Sequence, residues 1–263
     1  MRSPQVIYLD AVGTLFGVSG SVGEQYAKIA ADFDVLLDPE SVNQAFYRSF
    51  KAAPRMTFTN LPQSDVPIAE YQWWRSLAQQ TFGHTGDLEK FLDFEVFFKA
   101  LYAYFATANP WFVYEDTRSA LDAWQQQGIT LGLLSNFDSR IYAVISALNL
   151  EHYFSSITIS TEVGAAKPDR LIFDVALAKH ELGRSPDLAW HIGDSFDEDY
   201  QGATAAGINA FWLDRDRQPT TNPAKQSART IHNLITHLTQ NEDLPSSPSP
   251  FSQSGRRGAK KIY

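Results

Sequence analysis

Cysteine is absent from the 263 residues, which excludes disulfides, thiol catalysis and thiolate metal sites. Basic residues are in deficit, 22 Lys and Arg against 30 Asp and Glu for a formal charge of -8. A chain without a basic face is not expected to be a general nucleic-acid binder. The six histidines show no metal-binding spacing, and His191, inside an apolar stretch, reads as a core or strand-end residue. No apolar run reaches the ~18 residues that a membrane span needs, and Asp10 interrupts the apolar start, so neither a membrane helix nor a signal peptide is expected. The expected setting is soluble and cytoplasmic. Internal repeats are also missing. A hydrophobic content of 44% is enough for one large domain or for a core with an insertion.

What is present starts with Val6-Ile7-Tyr8-Leu9-Asp10-Ala11-Val12-Gly13-Thr14. Four residues of strand propensity deliver a carboxylate to a strand end, and Gly-Thr then turns the chain. Open parallel sheets place their chemistry at such carboxyl ends. Three more segments follow the same rule. The strand Ile129 to Leu134 ends in Ser135-Asn136, Lys167 stands before Pro168 and a helix from about Arg170 to Glu181, and the strand Leu188 to Ile192 empties into Gly193-Asp194-Ser195-Phe196-Asp197-Glu198-Asp199. Each alone has an ordinary reading: a strand-end turn for Ser135-Asn136, a surface charge for Lys167, a helix cap or solvated turn for Asp194 and Asp199. Together, carboxylates, a hydroxyl and a lysine at strand ends suit a divalent cation and an anionic substrate.

Between the first strand and the rest, apolar residues recur at helical spacing. Val22, Tyr26, Ile29 and Phe33 mark a helix within Gly20 to Leu37, and Pro39 opens a second to about Ala53. A polar connection from Pro54 to Pro67 includes Arg55, a candidate anion contact. A third helix carries Ile68, Tyr71, Trp74, Leu77 and Ala78, and a fourth, from Asp87 to Ala108, carries Leu88, Phe91, Leu92, Phe98 and Tyr102. These stripes read as the core of a helical bundle. After Tyr114, helix and strand alternate, which predicts a parallel sheet with crossover helices. The final helix is expected to end near Thr239. The Ser- and Pro-rich stretch 241–263, with Arg256, Arg257, Lys260 and Lys261, reads as a disordered tail.

The order Asp10, Ser135, Lys167, Asp194/Asp199 resembles the four motifs of the haloacid dehalogenase-like (HAD) superfamily, over about residues 5 to 238. Tyr71-Gln72-Trp73-Trp74 with Thr81-Phe82-Gly83 resembles the branch named after a rhythmically expressed insect gene. The resemblance implies an α/β fold: a Rossmann-like, doubly wound parallel-sheet core (1–16 and 111–240) with an inserted helical-bundle cap (17–110), as in the first subfamily. It further implies Asp10 as the nucleophile that forms an aspartyl phosphate. Mg²⁺ would be held by Asp10, the backbone carbonyl of Val12 and Asp194, with Asp199 in support. Ser135, Asn136 and Lys167 would bind the phosphoryl group of a small phosphorylated metabolite, Lys167 also offsetting charge during catalysis.

One residue departs from that pattern. Phosphatases of the superfamily carry a second Asp two residues after the nucleophile, as general acid and then base, and this chain has Val12. The metal site needs only that residue's carbonyl, but the proton shuttle is lost, a factor of ~10²–10⁴ in rate. Dehalogenases of the family lack this Asp too, yet they also replace the Gly-Asp kept here as Gly193-Asp194, and they need an arginine near the start of the cap, where this chain has none between Arg2 and Arg48. The expectation is therefore phosphate-ester hydrolysis, weakened or specialised. The alternatives are a catalytically weak binding protein on the same fold and, third, a 2-haloacid dehalogenase.

Overall fold

The structure is a computed structural model that describes residues 3–215 and 230–231. The expected end of the last helix and the tail 241–263 lie outside the described residues. In chain order the elements begin with β1 (Val6–Leu9), β2 (Phe16–Val18), α1 (Val22–Ala31), α2 (Pro39–Ala52), α3 (Val66–Thr85), α4 (Phe94–Tyr104) and β3 (Trp111–Val113). Then come α5 (Thr117–Gln126), β4 (Thr130–Ser135), α6 (Ile141–Ala147), β5 (Ser156–Ile159), α7 (Ser160–Val163), α8 (Arg170–Ala178), β6 (Ala189–Gly193), α9 (Gly202–Ala205) and β7 (Asn209–Trp212).

Five strands form one sheet in the order β5-β4-β1-β6-β7, every pair parallel. β1 lies at the centre, with Leu9 opposite Leu133 on one side and Ile192 on the other. Its apolar run is explained by burial on both faces. Ile7 and Leu9 join one core with Leu121, Trp124 and Ile145, while Val6 and Tyr8 join another with Ile172, Phe173 and Leu177. Alternate side chains of a strand point to opposite faces, so a single strand nucleates both layers. The strand order reverses at β1, and crevices at such reversals are where open α/β sheets hold their ligands. Asp10 is the first residue past β1, and its N–H donates to Ile192 O at 2.9 Å, so the nucleophile candidate is tied to the neighbouring strand.

Helices α1 to α4 form the helical cap, with a core of its own that contains Tyr26, Phe46, Leu77, Phe82, Phe97 and Phe98. Full burial of side chains such as Phe82 and Phe97 stabilises the cap by roughly 1.5–3 kcal/mol each. Local signals set the helix starts. Ser21 and Glu24 close a capping box on α1, Asp38 caps α2 ahead of Pro39, and Asp93 accepts from the N–H groups of Glu95 and Val96. The two crossings between cap and sheet are β2 and β3, which pair antiparallel with Gly17 opposite Phe112.

The structure departs from the sequence pattern in two places. The fourth cap helix starts at Phe94, not Asp87, because Asp93 caps it and a short 3₁₀ turn, Leu88–Lys90, precedes it. Ile68 and Leu92 are exposed rather than in the bundle core. Pro168 lies before α8, and Asp169 supplies the cap by accepting from Leu171 N. After β6 the chain enters a wide π-type turn over Phe196–Gln201.

Candidate active site

The strand ends bring Asp10, Ser135, Lys167, Asp194 and Asp199 to one cleft. Lys167 is its buried centre. The Nζ donates to Asp10 Oδ1 at 2.7 Å, to Asp199 Oδ1 at 2.5 Å and to Leu134 O at 3.1 Å, so all three protons of the ammonium are used. Burial alone would push this ammonium down, but the charges of Asp10 and Asp199 override it and hold the group above the ordinary lysine range.

Asp199 is equally committed. Its Oδ1 also meets His191 Nε2 at 2.8 Å, and its Oδ2 accepts from Ser195 N at 2.9 Å. Burial works against this carboxylate, and Lys167 with His191 more than offsets it, holding Asp199 well below the usual carboxylate range. The π-type turn makes this possible. It swings Asp199 beneath the cleft while Asp197, two residues earlier, remains exposed. Gly193 is required at the strand end because a Cβ there would collide with Asp199.

Asp194 has a different environment. Its side chain lies at the cleft's open edge, where desolvation, then repulsion from Asp10 and Asp199, pushes its carboxyl up to about 7. Gly13, at φ +86°, passes so close that any Cβ would meet the Asp194 carboxylate. Carboxylate oxygens of Asp10, Asp194 and Asp199 lie within 4.8 Å of one another. This is a hard, all-oxygen donor set that fits a divalent cation, and the crowding of anions behind the raised Asp194 carboxyl is what such an ion would relieve. Since Asp199 already serves Lys167, His191 and Ser195, Asp10 and Asp194 are the principal ligands that remain.

Ser135, the last residue of β4, is 4% exposed and lines the same cavity. Asn136 does something the sequence did not suggest. Its Oδ1 accepts from Lys167 N at 2.7 Å, and its Nδ2 donates to Lys167 O at 3.1 Å and Glu198 Oε2 at 2.9 Å. The side chain therefore positions the lysine from both sides of its peptide. Arg55 reaches down from the cap to donate to Lys167 O and pairs with Glu198 at 3.3 Å.

Several participants carry no recognisable signal. Glu198 sits in an acidic run that reads as a solvated turn, and His191 is buried in β6 as expected but also holds Asp199. Asp138, Ser139 and Arg140, just after the Ser135-Asn136 tip, grip the cap. Trp74 Nε1 donates to Asp138 Oδ2 at 2.6 Å, and Ser139 N donates to Glu70 Oε1 at 2.9 Å. Only the fold places these residues opposite one another.

No helix among the described residues is long and apolar enough to cross a membrane. The family model of haloacid dehalogenase-like hydrolases matches residues 4–207. Haloacid dehalogenase-like hydrolase domain-containing protein 3 of Mus musculus is 31% identical over 249 residues, 92% of this chain and 95% of the mouse protein. The rhythmically expressed gene 2 protein of Drosophila melanogaster is 28% identical over 212 residues, 77% of this chain and 80% of the fly protein. The crystal structure of a magnesium-bound HAD-hydrolase, YfnB from Bacillus subtilis, has the same fold, with a TM-score of 0.66 at 16% identity over 90% of this chain and 100% of that one. Motif order, sheet topology and a family match across both sheet and cap agree: the chain belongs to the haloacid dehalogenase-like hydrolases.

Proposed function

We propose that this hydrolase cleaves phosphate esters of small metabolites through an aspartyl phosphate on Asp10, with Mg²⁺ as cofactor. The observation that carries the reading is the shared ammonium of Lys167, which holds Asp10 at 2.7 Å and Asp199 at 2.5 Å beside the cation-ready Asp194. Asp10, the Val12 carbonyl and Asp194 would hold the ion, with Asp199 supporting. When bound, it would shield the charge between the carboxylate nucleophile and the phosphate.

The chain's own groups do the rest. Lys167 fixes the Asp10 side chain through Oδ1 and supplies positive charge where phosphoryl oxygens gather. Ser135 offers a hydroxyl to one of those oxygens. An Asp10 carboxylate oxygen attacks phosphorus, the bond to the leaving oxygen breaks with its electron pair, and water later cleaves the acyl phosphate. Val12 supplies no proton to the leaving oxygen and takes none from water, so substrates whose leaving groups depart as stable anions are favoured. Keeping Asp194 supports phosphate over haloacid chemistry, since halide displacement needs no cation.

The test is turnover of acetyl phosphate and 4-nitrophenyl phosphate with Mg²⁺ by the purified protein and by Asp10→Asn. Activity in the first that is abolished in the second is expected; equal residual rates would overturn the assignment. If Mg²⁺ with a phosphate mimic raises the melting temperature of a protein that turns over neither ester, the catalytically weak binding protein is the correct reading.

A further inference from the structure

The cavity above Asp10 is far larger and more apolar than a phosphate requires. It encloses about 740 Å³ and continues from the carboxylates into the cap, where Phe50, Trp73, Trp74, Phe98, Phe105 and Trp111 contribute to its wall. That volume lies in the range of sites for small organic ligands, which are mostly apolar with a few placed polar groups.

Two such polar groups stand in the cap half of this cavity. Tyr26 is 3% exposed, packed edge-on against Phe46 and Phe105, and its hydroxyl has no hydrogen-bond partner among the described residues. Burial holds the phenol above its ordinary range, so the group stays a donor. Arg140 lies 4.0 Å from the ring centre of Tyr102 and 5.0 Å from that of Trp74. Its Nε and Nη2 donate to Asp138 at 2.9 and 2.6 Å, and Nη1 donates to Tyr102 O at 3.3 Å. A guanidinium has five N–H donors, so two remain without a protein acceptor among the described residues. Both residues line the cavity, where N–H and O–H groups not taken up by the protein are open to a ligand's acceptor.

Val12 adds an independent constraint from the other end. It lines the cavity beside Asp10 and cannot protonate a departing oxygen. A phenolate leaves without that help, because phenols ionise near pH ~10, as the tyrosine side chain does.

We infer that the substrate is an aryl phosphate whose ring carries an oxygen acceptor remote from the phosphate. The phosphate sits at Ser135 and Lys167, the ring lies within the aromatic wall, and the remote oxygen accepts from Tyr26 and Arg140. In the reaction the Asp10 oxygen–phosphorus bond forms, the phosphorus–aryl oxygen bond breaks, and the electron pair leaves on the phenolate, which takes a proton from solvent. The inference rests on the phosphate-ester reading above and narrows it to one substrate class.

Its test uses binding, so that it stands apart from turnover. Methylphosphonate, benzylphosphonate and 4-carboxybenzylphosphonate are titrated calorimetrically into the wild-type protein with Mg²⁺. Benzylphosphonate is expected to bind at least about tenfold more tightly than methylphosphonate, and the carboxylate to add about another tenfold. Tyr26→Phe, which keeps the ring packing, should remove most of the second gain and leave the first. Three phosphonates binding within twofold of one another overturn the inference, as does a Tyr26→Phe protein that weakens all three equally. If the phosphonate series holds but neither acetyl phosphate nor phenyl phosphate is turned over, the cavity stands as a binding site for aryl phosphates and the hydrolytic reading fails. Acetyl phosphate turnover through Asp10 with no ranking among the phosphonates gives the reverse. No binding of any phosphonate at millimolar concentration overturns both.

Discussion

Lys167 and Asp10 meet at 2.7 Å across 157 residues of sequence, and the same ammonium holds Asp199 at 2.5 Å. Replacing the lysine by methionine keeps the stem volume and removes the charge, so Asp10 loses its cationic partner and Asp199 is left with His191 and the Ser195 N–H alone. Loss of one partner of a buried ion pair costs about 3–5 kcal/mol. Lys167→Met should therefore unfold at much lower urea than the wild type, and millimolar Mg²⁺ should restore more stability to the variant than it adds to the wild type. Urea titrations with and without the cation check both halves. A variant as stable as the wild type without Mg²⁺ contradicts this account of the ammonium.

Val12→Asp tests the missing shuttle. Val12 lines the active cavity beside Asp10, on a turn fixed by the Gly13 N–H donating to Phe16 O at 2.8 Å, so a carboxylate that turns from the core toward the cleft there stands within the site. Alkyl phosphate turnover should rise by ~10²–10⁴, with a smaller gain for aryl phosphates, whose leaving groups need less help. The phospho-Asp10 intermediate, visible by intact mass after rapid acid quench, should persist in the wild type and shorten in the variant. No change in either quantity, while Asp10→Asn still abolishes activity, would mean that another group moves the proton.

The sheet and three of the cleft groups are legible in the sequence because their signals are local. A buried parallel strand shows as an apolar run, and the polar residue that ends it sits at the strand tip whatever the rest of the chain does. Asp10, Ser135 and Asp194 are all of this kind. Glu198 and Glu70 are not. In Asp197-Glu198-Asp199 three carboxylates look alike, and only the π-type turn decides that Asp199 goes under Lys167, Glu198 toward Asn136 and Asp197 to solvent. Glu70 lies on α3 among residues whose spacing speaks for packing within the cap, yet it is fully buried against the 137–140 segment of the core, a juxtaposition set by how the cap sits on the sheet. Ile68 and Leu92 fail for the converse reason: helical periodicity marks an apolar stripe without saying where the partner helix ends.

Glu70 gives a pH prediction. Burial, only partly offset by the hydrogen bonds from Ser139, pushes its carboxyl up. An acid whose folded-state pKa is raised holds its proton longer in the folded chain than in the unfolded one. Its contribution to stability is therefore most favourable below the unfolded value near ~4.3, falls as pH rises from there through the raised folded value, and is constant above it. Glu70→Gln keeps an acceptor for Ser139 N and removes the charge. Relative to wild type, this variant should gain stability on going from pH 4 to pH 8, read as the difference between urea midpoints at each pH. Parallel profiles for the two proteins would show that Glu70 does not titrate in this window.

The Asp138 carboxylate, fully buried and paired with Arg140 at 2.6 Å, ties the cap to the loop that follows Ser135 by accepting from Trp74 Nε1 at 2.6 Å. Beside it the cap is attached through the β2–β3 ribbon and the Ser19 N–H donating to Pro110 O at 2.8 Å, so Trp74 is a contact that can open while the hinge strands stay paired. A hydrogen bond to a charged group contributes about 1.5–3 kcal/mol. Trp74→Phe keeps an aromatic face beneath Arg140 and deletes that bond. The cap should then spend more time raised, which exposes the segment 54–62 and weakens substrate capture more than it slows the bound reaction. Limited proteolysis should cut the variant faster within 54–62 than the wild type, with saturating phosphonate narrowing the gap, and KM for 4-nitrophenyl phosphate should rise several-fold while kcat changes little. A loss confined to kcat, with unaltered proteolysis, would show that Trp74 orders the Asp138 loop in the core without holding the cap down.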